Sequence, residues 1–401
     1  MAAEGLRVLA VGVRRWASLP PLLSPDSVER DLEFIGLVGL IDPPRPEVAE
    51  AVAACKSAGV VPVMITGDHP LTARAIARRL GLLEDERDVL TGPEVAGLSA
   101  QELANVVSRV RVYARVAPEQ KVRIVNALQA AGEVVAMTGD GVNDAPALKR
   151  ADVGVAMGIE GTDVAKEASA IVLLDDHFAT IVRAVREGRR IYDNLRRFVR
   201  YILTTNSAEI WAIFLAPFLG LPVPLVPIQI LWLNLVTDGL PGLALASEPA
   251  ESDVMRRPPR PVGESLFARG LGAHAFVVGL LMAALVLGAE AWYLQAHAAS
   301  WQTLVLTALC FSQLGHALAI RSERASLFKL GLRSNMPLLG AVILMILLQL
   351  VIVYLPAFNG LFKTVPLTGG ELGVCVAAAG VVFGIVELEK WVRRRSSADR
   401  G

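Results

Sequence analysis

The stretch Met137-Thr138-Gly139-Asp140-Gly141-Val142-Asn143-Asp144-Ala145-Pro146-Ala147-Leu148 packs two carboxylates, an amide and two glycines into a few residues. Asp140 and Asp144 offer the hard oxygen ligands that Mg²⁺ takes. The glycines let a backbone approach a phosphate closely, and Asn143 can donate to a phosphate oxygen. Two other stretches carry complementary groups. Thr66-Gly67-Asp68 offers a hydroxyl and backbone N–H donors suited to phosphoryl oxygens. Lys121 follows Pro118-Glu119-Gln120 at the start of a helix, where its ammonium and the helix dipole can neutralise a phosphate together. Each group has a plainer reading by itself: Thr66 as a helix cap, Lys121 as a solvated lysine, Asp144 as an N-cap. In order at successive strand ends, they favour phosphoryl transfer.

Apolar runs and their punctuation supply the elements that must position these groups. Leu6–Val11 alternates like an edge strand, residues 17–30 read as a loop or linker, and Phe34–Ile41 is a second apolar strand. The prolines of Asp42-Pro43-Pro44-Arg45-Pro46 stop it, and Val48–Ala58 reads as a helix. Val60–Ile65 is a strand emptying into Thr66, followed by a helix over Pro70–Leu80 with Gly81 as its stop. Val110–Ala114 leads to Arg115, a helix covers 119–131, and Val134–Ala136 ends at the Thr138 turn. Val153–Met157 and Ala170–Leu174 are two further strands. Strand–helix alternation with a polar turn at each strand end predicts a parallel, doubly wound α/β sheet.

The chain has 401 residues, with lysine plus arginine and aspartate plus glutamate equal at 39 each. That balance gives no sign of a nucleic-acid partner. Residues 1–197 hold most of the charge, whereas 198–391 are mostly aliphatic. Cys55, Cys310 and Cys375 lie far apart, with neither metal-ligand spacing nor a disulfide framework. Arg7, Arg14 and Arg15 interrupt the first sixteen residues, so no signal peptide is read there. No internal repeat is evident.

A helix rich in arginine, 183–200, is expected to run on into a first membrane span at 198–219. Five more spans are read near 225–246, 270–294, 301–320, 336–355 and 369–390. Basic clusters at Arg256-Arg257-Arg260, Arg321–Arg333 and Lys390–Arg395 place both ends of this half on the cytoplasmic side. Asn206 and Glu209 share one face of the first span, and Asn234, Thr237 and Asp238 one face of the second. Gly239 and Pro241 can loosen the backbone there and free carbonyl oxygens. Ionisable groups inside a membrane are costly and by default functional. This oxygen set suits Ca²⁺, and less selectively Na⁺ or K⁺. The plain alternative is a buried interhelical hydrogen-bond pair. Glu290 and Glu387 sit near helix ends, where a solvated role is expected, and His274 and His316 read as packing or hydrogen-bonding residues.

Taken together, Asp42-Pro43-Pro44-Arg45, Met64–Asp68, Ala114-Arg115-Val116-Ala117-Pro118-Glu119-Gln120-Lys121 and Thr138–Leu148 resemble, in order and spacing, the motifs of P-type cation-transporting ATPases. The phosphorylation domain of that family is haloacid-dehalogenase-like. The resemblance implies ATP and Mg²⁺ as cofactors. It gives catalytic roles to Thr66, Asp68, Lys121, Asp140, Asn143 and Asp144, places Thr66, Gly67, Asp68, Arg115, Lys121 and Asn143 at nucleotide and phosphate, and puts Mg²⁺ on Asp140 and Asp144. Asn206, Glu209, Asn234, Thr237 and Asp238 match ligands of sarcoplasmic-reticulum-type calcium pumps. Gln313 stands where those pumps carry a glutamate. Na⁺, K⁺ and Mn²⁺ are the alternative cargoes.

The family's nucleophile lies in an Asp-Lys-Thr-Gly-Thr motif that does not occur in these 401 residues. Asp42, followed by prolines, and Asp68 lack the flanks that a phosphatase nucleophile needs. The reading is therefore a carboxyl-terminal portion: 1–30 as the tail of a nucleotide-binding domain and linker, 31–182 as an incomplete haloacid-dehalogenase-like domain, 183–197 as a stalk, 198–391 as an all-α domain of six transmembrane helices, and 392–401 as a basic tail. The expected partners are a lipid bilayer, that of the plasma membrane, and the missing amino-terminal half, in cis or as a separate chain. Alone, the chain is expected neither to autophosphorylate nor to pump. The competing reading is a non-catalytic cation-binding membrane protein that pairs with such a half.

Overall fold

The computed structural model describes residues 1, 4–18, 24–40, 43–85, 88–323 and 325–398. Asp42, which opens the first motif, lies outside them. The chain divides into two compact units, Met1–Val185 with Met255–Pro259, and Arg186–Val254 with Arg260–Gly401.

In the first unit, β1 (Arg7–Val13) and β2 (Glu33–Leu40) form an antiparallel pair, joined through a segment that contains the short helix α1 (Pro25–Val28). This departs from the all-parallel expectation. It also leaves apolar side chains on both faces in solvent, with Phe34 65% and Ile35 64% exposed. Helices α2 (Glu47–Ser57) and α3 (Pro70–Arg79) flank β3 (Met64–Thr66). Proline has no N–H for a strand ladder, and β3 begins only after Pro62. Beyond it come β4 (Val89–Thr91), α4 (Gly92–Gly97), α5 (Ala100–Val106), β5 (Val112–Ala114) and α6 (Pro118–Ala130).

β3 and β4 both pair in parallel with β5, and Thr66, Ala114 and Thr91 lie abreast at the ends of the ladder. The second parallel sheet holds β6 (Ala136–Gly139), β7 (Val153–Met157) and β8 (Ile171–Leu173), with α7 (Ala145–Arg150) and α8 (Asp163–Glu167) between its strands. The parallel α/β expectation thus holds for these two sheets, with Thr138 and Gly139 inside β6 rather than in the turn after it. Ile65 of β3 packs on a cluster formed by Val125, Met137, Leu148 and Ala156, which brings the two sheets' apolar layers together.

α9 (Phe178–Phe218) is one continuous helix of 41 residues. In the second unit it is followed by α10 (Pro227–Leu231), a π-helical turn over Trp232–Thr237, and α11 (Gly239–Leu245). Next are α12 (Leu271–Gln295), α13 (Trp301–Ala319), the short α14 (Leu327–Leu330), α15 (Met336–Tyr354), α16 (Pro356–Phe362) and α17 (Gly369–Ala398). All six expected spans are helical. Among the described residues, four helices are long and apolar enough to cross a membrane: Pro227–Leu245, Leu271–Gln295, Met336–Tyr354 and Gly369–Arg395. The other two expected spans lie in α9 and α13. α9 holds Asn206 and Glu209, and α13 lies buried at the centre of the unit with Thr303, Thr307, Ser312, Gln313 and His316. α13 runs closely along α17, where a Cβ on Gly315 would fall 2.9 Å from the Ala379 carbonyl oxygen.

α17 runs on from the last expected span into the expected tail at 392–401, as far as Ala398. One expectation fails in this unit. Glu290 is fully buried rather than solvated, and neither of its carboxylate oxygens has a hydrogen-bond partner among the described residues.

Candidate functional site

Two groups of side chains gather at strand ends in the α/β unit. In the first, Lys121 of α6 points its ammonium at Asp144, with Nζ 2.5 Å from Oδ1. The other Asp144 oxygen accepts the backbone N–H of Gly141 at 3.2 Å and of Asp140 at 3.4 Å. Gly139 makes this fit possible, because a Cβ there would lie 2.5 Å from Asp144 Cβ. Asp144 is therefore bonded both to Lys121 and to its own turn. Asp140 and Asn143 are exposed, and the Asp140 side chain has no hydrogen-bond partner among the described residues. Its backbone carbonyl accepts both the N–H (2.8 Å) and the hydroxyl (3.2 Å) of Thr162, which caps α8 and holds the turn in place.

In the second group, the Thr66 hydroxyl donates to Asp68 at 3.0 Å and accepts the Asp68 N–H at 3.1 Å. The Arg115 N–H donates to the Asp68 carbonyl at 3.1 Å, which ties the turn after β5 to the turn after β3. Arg115 takes a left-handed φ of 53° to do so, a conformation uncommon outside glycine. Its side chain, Gly67 and Asp68 are exposed. No cluster of three or more metal-ligating side chains forms among the described residues.

Sequence reading missed Asp176. This buried carboxylate accepts the N–H groups of Gly158 (2.6 Å), Ile159 (3.0 Å) and Glu160 (2.7 Å), while Arg45 donates to its backbone carbonyl at 2.7 Å. Burial works to raise the Asp176 carboxyl, but the three N–H donors and nearby Arg45 outweigh it and hold the group below the ordinary aspartate range. Glu47 is also held low, by its own backbone N–H and then by His177, whose Nδ1 lies 2.7 Å away.

In the helical unit the polar residues converge on Glu209. Asn234 donates to Glu209 Oε2 at 2.5 Å and Gln313 to Oε1 at 3.0 Å, so groups from three helical segments meet at one carboxylate. Asp238 accepts the Tyr201 hydroxyl on Oδ1 at 3.0 Å, and its Oδ2 has no partner among the described residues. Gln313 Oε1 and Ser312 Oγ are also buried and unpartnered. Thr237 Oγ1 lies 3.8 Å from Cys310 Sγ. Asn206 is half-buried, and Asn234 is exposed.

The backbone opens here as expected, but by a second device. The Asp238 N–H bonds back to Leu233 at 2.9 Å, five residues earlier, which widens the helix into a π turn. Pro241, having no N–H, also leaves the Thr237 carbonyl without its usual donor. Tyr201, which sequence reading did not single out, lies two turns before Glu209 on α9. Amides and carboxylates that satisfy one another only in part, beside an opened backbone, form a set of oxygens that a hard cation can enter.

Comparison with known proteins agrees with this division. Residues 222–392 match the family model for the cation-transporting ATPase C-terminus, and residues 4–152 match that for haloacid dehalogenase-like hydrolases. The chain is 47% identical over 389 residues to a calcium-transporting ATPase of Bacillus subtilis, an alignment covering 95% of this chain and 43% of that protein. It is 42% identical to calcium-transporting ATPase 1 of Bacillus cereus, over 98% of this chain and 46% of the relative. It is also 40% identical to the endoplasmic reticulum calcium ATPase srcA of Aspergillus fumigatus, over 98% and 45%. The chain thus spans less than half the length of these curated relatives. With both halves matched in order, it belongs to the P-type cation-transporting ATPases and corresponds to their carboxyl-terminal part.

Proposed function

We propose that this chain supplies the phosphate-handling domain and the intramembrane cation site of an ATP-driven pump whose cargo is Ca²⁺. The observation that carries the reading is Glu209, held by Asn234 and Gln313 beside an Asp238 with one unpartnered oxygen. Both amides present N–H to the carboxylate; turned over, each presents an oxygen. A cation entering between them would then replace two N–H donors with its own charge. The three segments would close around it.

In the α/β unit the free carboxylate of Asp140 fits a Mg²⁺ ligand, whereas Asp144, already bonded to Lys121 and two N–H groups, fits the role of a positioning residue. The metal, when bound, would neutralise charge on a transferring phosphoryl group. Lys121 would hold its ammonium at the α6 amino terminus, Thr66 and Gly67 would offer donors to phosphoryl oxygens, and Asp68, Arg115 and Asn143 would orient nucleotide and phosphate. A lipid bilayer surrounds the helical unit in this reading, with the α/β unit and the α17 end in the cytoplasm.

The test is calorimetric Ca²⁺ titration of the chain in detergent, beside a Glu209→Gln, Asp238→Asn double variant. Micromolar binding that the variant loses is the expected result. Absence of binding with helicity intact by circular dichroism would overturn the calcium reading, and titrations with Na⁺, K⁺ and Mn²⁺ on the same sample would then identify the cargo.

A further inference from the structure

Two histidines from neighbouring helices meet inside the helical unit. His274 of α12 and His316 of α13 face each other through Nε2 at 3.1 Å, and both are buried. His274 Nδ1 lies 2.6 Å from Glu389 Oε2 of α17, and the other Glu389 oxygen pairs with Arg393 at 2.5 Å. A cavity of about 10 Å³, room for one water, lies beside His274 and Glu389 and is bounded by Arg200, Glu323, Lys390 and Arg393. On the inner side, the His316 ring stacks on Tyr201 with centroids 6.0 Å apart, and Tyr201 donates to Asp238. His316 Nδ1 is buried with no hydrogen-bond partner among the described residues.

The proton count follows from these contacts. Glu389 requires a proton on His274 Nδ1, and the Nε2–Nε2 contact requires one proton between the rings. That arrangement is neutral and leaves His316 Nδ1 bare. One more proton fits there. A further one would set two N–H groups against each other at 3.1 Å. We propose that the His274–His316 pair is a single-proton binding site, anchored by Glu389 and sensed by the cation ligands through Tyr201. The coupling to cation rests on the reading of Asp238 as a ligand.

The proton, taken from water, forms one N–H bond at His316 Nδ1; Glu389 stays a carboxylate, and the charge of the pair rises by one. The charged groups facing the pair are Arg200 from α9, which pairs with Glu323 at 2.8 Å, and Glu389, Lys390 and Arg393 from α17, with Asp238 beyond Tyr201. Lys390 is bonded to Glu387 at 2.5 Å, so the nearby bases are largely answered by acids. The Asp238 charge favours the proton. A cation there disfavours it, and by reciprocity the proton weakens the cation.

The experiment is histidine ¹⁵N NMR of the 401-residue chain in detergent from pH 5 to 8, without calcium, with His274→Gln and His316→Gln variants for assignment. The expected result is one shared midpoint for the two rings and a total uptake of one proton. In Asp238→Asn that midpoint falls by at least ~0.5 pH unit, about a threefold weaker proton affinity. Independent titration of the two rings, or no titration in this range, overturns the site. An unmoved midpoint in Asp238→Asn overturns the link through Tyr201. If calcium fails to bind while the shared midpoint and its Asp238→Asn shift persist, the cargo reading falls and the proton site stands.

Discussion

Lys121 Nζ sits 2.5 Å from Asp144 Oδ1, and the pair fastens the start of α6 to the turn between β6 and α7. Both side chains are mostly shielded, at 18% and 10% exposure, so each leaves the other poorly solvated when removed. Lys121→Ala and Asp144→Ala should each lower the opening free energy of this turn by about 1–3 kcal/mol. The double variant should lose less than the sum, with a coupling on the order of 1–2 kcal/mol. Hydrogen exchange of the α6 and β6 amides measures both.

Gly139→Ala should have a comparable effect with no change of charge. Its new methyl falls within van der Waals distance of Asp144 and must push the carboxylate off Lys121. Overpacking of this kind costs about 1–3 kcal/mol. The same exchange measurement should find the loss confined to the turn and α6.

Asp176 makes stability depend on acid. Its carboxyl is held below the ordinary range in the folded chain, so the stabilisation is present above the unfolded aspartate value of about 4 and disappears as pH falls through the lower folded value. Acid titration followed by circular dichroism should show the α/β unit weakening below about pH 4. Asp176→Asn should be weaker at neutral pH, and its stability should change less over that acid window.

Glu290 predicts the opposite sign. A buried carboxyl with neither oxygen partnered is a cost, and an apolar residue of similar size removes it. Glu290→Met should stabilise the helical unit by about 1–3 kcal/mol, read as a higher thermal midpoint in detergent. A fall in the midpoint would count against the carboxyl being unpartnered.

Arg321 holds Glu248 through two bonds, Nε at 3.0 Å and Nη2 at 2.8 Å, and donates a third to the Gly331 carbonyl at 3.0 Å. A lysine keeps the charge but not the fork. Arg321→Lys should cost about 1–3 kcal/mol in the same thermal assay, and Arg321→Ala more, because Glu248 is then buried without its counter-charge.

The elements around the chemistry were legible because their signals are local. Apolar runs ending at Thr66, Ala114 and Thr138 mark strands whose ends carry the polar turns, and prolines at 70 and 118 mark the helices that follow. The antiparallel β1–β2 pair was not legible, since Phe34–Ile41 reads only as an apolar strand, and its direction and exposure depend on what packs beside it. Val89–Thr91 is too short a run to declare itself. Glu209 and Asp238 stood out as carboxylates in apolar helices. Tyr201, Gln313 and the two histidines reach their partners only through the crossing of α9, α12, α13 and α17, which no spacing within one helix encodes. Glu290 misled for the same reason: its place near a helix end says nothing of the neighbours that enclose it.

The π turn at Trp232–Thr237 makes the length of this segment matter independently of its composition. A π turn is an α-helix with one residue too many, so everything after it is rotated by about 100° from where a regular helix would carry it. Removing any one residue of the six would restore regular hydrogen bonding and strengthen the helix taken alone. It would also swing Asp238 away from Tyr201 and turn the Gly239–Leu245 segment to a different face. The reading frame of a ligand set is written here as a surplus residue, and a deletion that improves the helix would erase it.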